Sequence, residues 1–157
     1  MKNSLIGFIV GMVLVAVVGW LMMPGMMIIE YQSPHGLNET VEKIKTRAIA
    51  EGWIVTGLKP LHKAVKKHIN KDIAPVILIN MCQADHAYNI LKEDKNRVLS
   101  VMMPCTISVY EKTDGKTYIA AMNAGLLGKM FGGSIAEIMG DVVAKQQQMF
   151  INAALKK

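Results

Sequence analysis

Pro75 to Asn123 reads PVILINMCQADHAYNILKEDKNRVLSVMMPCTISVYEKTDGKTYIAAMN, and its reading decides the fold. Val76–Met81 is apolar except for Asn80, and Pro75 stands before it, where a proline costs a strand nothing. Cys105, Ile107 and Val109 alternate with Thr106, Ser108 and Tyr110, the period-two pattern of a strand with one buried face. Thr113-Asp114-Gly115 is the turn that follows. A three-residue loop with Gly115 in the left-handed region puts Val109 opposite Ile119, Ile107 opposite Ala121 and Tyr110 opposite Tyr118. That register collects apolar residues on one face and tyrosines on the other, whereas a slip by one residue would mix the faces.

Working outward, Gln83–Glu93 is expected as a helix with Ala84, Ala87, Tyr88 and Leu91 on one side, and Val98–Met103 leads through Pro104 into the next strand. Upstream, Ile28–Gln32 and Trp53–Leu58 read as strands. They flank a helix expected to be capped by Asn38, buried through Leu37, Val41, Ile44 and Ala48, and stopped at Gly52. Lys59–Lys71 is a short basic amphipathic helix with Leu61, Val65 and Ile69 at helical spacing. It is either a solvated lysine face or a docking surface for acidic lipid headgroups or an acidic protein. Downstream, Asn123–Phe131 reads as a short helix or loop rich in glycine, and Gly125–Gly133 as flexible backbone before a helix. Ser134 and Glu137 suggest a capping box, and Ile135, Ile138, Met139, Val142, Val143, Met149, Phe150 and Ala153 suggest the buried stripe of a long helix. The fold class is α+β, an antiparallel sheet packed against helices.

Residues 1–27 form the other part of the chain. Ser4–Met23 is a continuous apolar run of bilayer-spanning length, and Lys2 is the only charged residue before Glu30. The expectation is one transmembrane anchor over 1–27 and a single domain over 28–157. No basic residue follows the run until Lys43, so the N-terminus is expected in the cytoplasm, with the domain on the periplasmic side of the inner membrane. A cleavable signal ending near Val17-Val18-Gly19 is the competing reading. Ser4, Gly7 and Gly11 put small residues on one side of the helix. They suggest contact with a second copy or another membrane protein, with the lipid bilayer as the constant partner.

Without Lys2 the remainder carries 17 basic against 12 acidic residues, about +5. Its arginines are Arg47 and Arg97 alone and aromatics are scarce, so nucleic acid is not expected as a partner. No phosphate loop, catalytic triad or carboxylate pair stands out, and no pattern specifies a cofactor. Cys82 and Cys105 are the only cysteines, so a disulfide, two buried free thiols and a functional thiol all stay open. His86 follows Cys82 by four residues, one helical turn. With Cys105 and the thioethers of Met81, Met102 and Met103 it forms a candidate site for a soft metal, and axial haem ligation is a further possibility.

MCQADHAYNIL at 81–91 followed by MMPCTISVYEKTDGKTYIAAMN at 102–123 resembles the family called domain of unknown function 302, across residues 28–153. Met103-Pro104-Cys105 fits the family's pattern; after the first cysteine, Gln83-Ala84 replaces the Asn-Pro of many members. The resemblance implies a TATA-binding-protein-like order of strand, helix, four antiparallel strands and helix, with the two cysteines at a junction of antiparallel neighbours. It implies no reaction, and a contextual association with sulfur or redox metabolism. The expected function is an externally facing binding or accessory module of such a membrane system. A thiol-dependent redox enzyme or sulfur carrier using Cys82 or Cys105 is the alternative, and a soft-metal or haem binder a further one.

Overall fold

A computed structural model describes residues 2–156, with the side chains of residues 2–6, 10 and 22–24 outside the description. Helix α1 (Lys2–Met27) runs directly into strand β1 (Ile28–Ser33). Helix α2 (Leu37–Ala50), β2 (Ile54–Pro60), α3 (Leu61–Ile69), β3 (Val76–Cys82), α4 (Ala84–Leu91) and a 3-10 helix (Asp94–Met102) follow. Next come β4 (Cys105–Glu111), β5 (Thr117–Met122), α5 (Ala124–Phe131) and a helical run from Gly133 to Leu155. That run comprises α6 (Gly133–Ile135), a π-helix (Ala136–Val143) and α7 (Ala144–Leu155). The five strands form one sheet in the order β1-β5-β4-β3-β2, and every neighbour pair is antiparallel.

The β4–β5 hairpin has the register the turn chemistry predicts: Val109 faces Ile119, Ile107 faces Ala121 and Tyr110 faces Tyr118. Gly115 has φ +73°, and Lys112 N–H donates to Lys116 O across the three-residue loop. Alternation then sorts the faces. Ile79, Met81, Ile107, Val109, Ile119 and Ala121 are buried against Val41, Ile44 and Ala48 of α2 and Phe150, Ile151 and Ala154 of α7. Thr106, Ser108, Tyr110 and Tyr118 sit on the opposite face, half-buried.

Several local expectations are corrected. Helix α2 is capped at Gly36, not Asn38, because Thr40 Oγ1 and Ser33 Oγ, 2.8 Å apart, tie its first turn to the end of β1. The Ser134–Glu137 box does not form: Gly132 and Gly133, both at positive φ, turn the chain earlier and leave Ser134 inside the first turn. Val98–Met102 belongs to the 3-10 helix, whose three-residue period turns Asn96 and Leu99 inward and leaves Val98 and Val101 exposed. In α4 the buried side chain is Ile90, and Tyr88 faces solvent, because Ile90 packs in a second small core with Leu99, Ile135 and Met139. The π-turn spends extra residues per turn, so the buried stripe arrives at Phe150, Ile151 and Ala154. Val142 and Ala153 are displaced from it.

The Asn123–Phe131 stretch is a helix whose glycines are a contact surface. A Cβ on Gly128 would overlap the backbone nitrogen of Gly140 and stand 2.7 Å from its Cα. Only bare backbone on both sides lets α5 approach the π-helix this closely.

Among the described residues no helix is long and apolar enough to cross a membrane. Asn123 joins the end of α1 to the domain. Its backbone N–H donates to Met27 O (2.8 Å), its Nδ2 donates to Met26 O (2.9 Å), and its Oδ1 caps α5 by accepting from Leu126 N–H (3.1 Å).

Candidate functional site

Cys105 opens β4 directly opposite Met81 of β3, and Cys82 is the next residue along β3. The two strands are antiparallel, so the cysteines lie at the same end of the sheet, as the family resemblance implies. Cys105 shares the core side with Ile107 and Val109, as its parity predicts. Met81, not Cys82, is its partner across the ladder, and both cysteines are half-buried free thiols.

Both thiols line a small, apolar hollow of about 30 Å³, little more than one water would occupy. Its walls come from four places: Trp53 ahead of β2, His86 and Ile90 on α4, Met102 and Met103 at the end of the 3-10 helix, and Met139 and Val143 on the π-helix. The candidate set Cys82, Cys105, His86, Met102 and Met103 is therefore brought together. Met81 stands behind it, 1% exposed, as a core residue. Met102 and Met103 also pack on the second core, which is ordinary gap-filling for methionine.

Burial governs the chemistry here. Removal from water, and secondarily the neighbouring Cys82, push the Cys105 thiol up to about 11. At neutral pH it is a protonated, weakly nucleophilic group.

His86 is held by a polar pair that sequence reading passed over. Trp53 Nε1 donates to Gln146 Oε1 at 3.1 Å, and His86 Nε2 lies 3.0 Å from the same oxygen. An indole N–H can only donate, so the Gln146 atom between the two rings is its carbonyl oxygen. His86 must then carry a proton on Nε2 and donate it to that oxygen. The rings of Trp53 and His86 meet edge-on with centroids 6.0 Å apart. Gln146 was legible in principle: it lies three residues after Val143 and four before Phe150, a polar residue on an apolar stripe. Among the described residues no group of three His, Cys, Asp or Glu side chains stands close enough to hold a metal ion.

The open sheet face carries a second polar arrangement. Glu30 accepts from Tyr110 Oη and from Lys112 Nζ (2.8 Å), and Tyr118 Oη donates to Asp114 (2.7 Å). Tyr110 and Tyr118 stack at 6.0 Å, with Lys112 Nζ 4.0 Å above the Tyr118 ring. Burial and the Glu30 carboxylate push Tyr110 up to about 12, while Lys112 and Tyr110 hold Glu30 below the usual carboxylate range.

Gly7 and Gly11 border a shallow groove on α1 together with Phe8, Met12, Val15 and Ala16. The side chain of Ser4, the third member of that motif, lies outside the described residues.

With strand order, hairpin and cysteine segments in place, residues 29–154 match the family model for the domain of unknown function DUF302. The chain belongs to the DUF302 family. A crystal structure of an uncharacterized conserved DUF302 protein from Bacillus stearothermophilus is similar to it at 22% identity and a TM-score of 0.72, covering 82% of this chain and 98% of that one. At that identity the likeness shows the fold alone. No curated protein matches the chain. The DUF302 sheet thus places the cysteine hollow at the end where α1 enters. Ile28 pairs with Met122, and the same end of the sheet holds Cys105, Cys82 and Ile54. Helix α3 follows Pro60 at the other end, about 20 Å away along a strand of seven residues.

Proposed function

We propose that this DUF302 protein is a membrane-anchored, externally facing binding or accessory module, working through protein contacts beside a membrane redox or sulfur-handling system. The observation that carries the reading is the junction at Asn123. A helix of 26 residues with one charged side chain enters the domain without a linker, and both its last carbonyls are bonded to a residue that caps α5. Such a connection suits a domain held in one attitude to a bilayer, which is how a docking module serves a neighbour. The apolar run of the full sequence from Ser4 to Met23 supports the anchor, and Lys2 with the following stretch free of basic residues supports the external orientation. The redox or sulfur setting rests on the family resemblance alone.

The raised Cys105 thiol speaks against a thiol enzyme or sulfur carrier at that residue, since carriers use exposed thiolates. The position of α3 also matters. Its lysines and the exposed Leu61 and Ile69 lie at the far end of the sheet from α1, out of reach of the headgroups around the anchor. An acidic protein partner suits that helix better than a lipid surface.

The test is fractionation followed by protease added to intact spheroplasts. The full chain should stay with carbonate-washed membranes, and its domain should be digested from outside. Recovery in the soluble fraction would overturn the anchor, and full protection in spheroplasts would overturn the orientation.

A further inference from the structure

Sulfur gathers at the cysteine hollow. Five of the side chains that line it carry sulfur: Cys82 on β3, Cys105 on β4, Met102 and Met103 ahead of β4, and Met139 on the π-helix. Cys105 stands opposite Met81, and Cys82 is one residue further along β3. The two cysteine Cα atoms therefore lie on a diagonal of about 6 Å, from the spacing across the ladder and one residue of rise. Two thiolates at that spacing can reach one ion between them. The space suits such an occupant. A volume of about 30 Å³ admits a single particle the size of a water, yet the apolar walls offer a water few of the polar partners it needs. Both thiols are half-buried and not sealed, which leaves a way in.

The nearby nitrogen and oxygen donors are engaged elsewhere. His86 Nε2 is held by Gln146 Oε1, and Gln83 Oε1 accepts from His86 N–H at 2.7 Å, closing the first turn of α4. Among the described residues no third His, Cys, Asp or Glu joins the two thiols. Zinc takes four nitrogen, thiolate or carboxylate ligands, so this hollow does not suit it. Thiolate together with thioether is a soft set, which selects monovalent copper. We propose that the hollow binds a single Cu(I) ion, with Cys82 and Cys105 as thiolate ligands and the thioethers of Met102 and Met103 completing a sulfur-only shell. Each thiol yields its proton to solvent as the ion enters. Trp53 and His86 form the wall and do not ligate. The site goes beyond the docking role and does not depend on the anchor.

The experiment uses the full chain in nonionic detergent, reduced and free of oxygen. Cu(I), kept monovalent by ascorbate, is titrated in competition with bathocuproine disulfonate. One tightly held ion is expected at the hollow, with an X-ray absorption spectrum that shows sulfur neighbours and no nitrogen. Trp53 lines the hollow, so its fluorescence should be quenched as the ion binds; Trp20→Phe removes the chain's other tryptophan. Zinc added in excess should not displace the copper. Cys82→Ser and Cys105→Ser should each weaken binding by about a hundredfold or more. Met102→Leu combined with Met103→Leu should weaken it by about tenfold, and leucine keeps the volume of methionine, so the fold is retained. If a cysteine variant does not fold, the methionine pair and the wild-type absorption spectrum still decide. No copper retained against the competitor, or a nitrogen neighbour in the spectrum, would overturn the site. So would equal affinity in the wild type and the cysteine variants, which would place the ion at methionines elsewhere in the chain.

Discussion

Adding one methyl group at Gly128 tests the packing that sets the cysteine hollow. In Gly128→Ala the new Cβ would overlap Gly140 N, sit 2.7 Å from Gly140 Cα and 2.9 Å from the Met139 carbonyl carbon. All three are backbone atoms, so no rotamer change relieves the clash. Carbon pairs settle at about 3.5–4.0 Å, so α5 and the π-helix must separate by roughly 1 Å. Overpacking of this kind costs about 1–3 kcal/mol, and the unyielding neighbours put this case near the upper end. Alanine returns up to about 1 kcal/mol of helix propensity, leaving a net loss of roughly 2 kcal/mol. Gly125→Ala is the internal control. It lies on the same helix, but its Cβ would meet Asn123 Oδ1 at 3.5 Å and Ala144 Cβ at 3.6 Å, which are ordinary contacts. It should be stabilised by about 0.5–1 kcal/mol. The two variants should thus differ by roughly 3 kcal/mol with opposite signs, a separation of about 1–2 M in urea midpoint. Equilibrium unfolding of the full chain in detergent, followed by the fluorescence of buried Trp53, reads the difference. Met139 and Val143 line the hollow, so Gly128→Ala should also speed alkylation of Cys105. If Gly128→Ala were as stable as Gly125→Ala, the close approach of α5 and the π-helix would be refuted.

Two further predictions follow from the site and the junction. Cys105 is an acid whose thiol is raised on folding from about 9.0 to about 11, so the folded state keeps a proton that the unfolded chain releases; its contribution is intact below pH 9 and lost as pH rises from 9 to 11. Urea midpoints between those pH values should fall by an amount equivalent to about 2–3 kcal/mol in wild type and by clearly less in Cys105→Ala; equal slopes would remove the buried thiol as the cause. Asn123→Ala deletes the cap of α5 and the bond to Met26 O, costing about 1 kcal/mol and raising hydrogen exchange at the start of α5; unchanged protection of Leu126 would show that the junction does not depend on that side chain.

The hairpin, the sheet faces and the core side of Cys105 are legible in the sequence because strand side chains alternate strictly. One register alone keeps Ile107, Val109, Ile119 and Ala121 together, and a slip would expose them all. Helix α2 is legible for a similar local reason: Val41, Ile44 and Ala48 recur at helical spacing and end at Gly52. The sites are less so, because they join segments whose relation is set only when the sheet closes. His86 and Gln146 are sixty residues apart and meet directly beside Trp53, a contact with no local periodicity. Gly125, Gly128 and Gly140 look like flexible punctuation, since a missing side chain leaves no pattern to show what stands against it; only the crossing of α5 and the π-helix reveals a contact. The π-turn shifts later residues around the helix axis, so a stripe counted at 3.6 residues per turn includes Val142 and Ala153 beside Val143, whereas the folded chain buries Val143, exposes Val142 and brings Ile151 and Ala154 inward. Asn96 reads as one more polar residue in a charged loop. Its buried, unpaired amide exists only because Leu99 on the same 3-10 face is drawn into the second core and carries Asn96 inward with it.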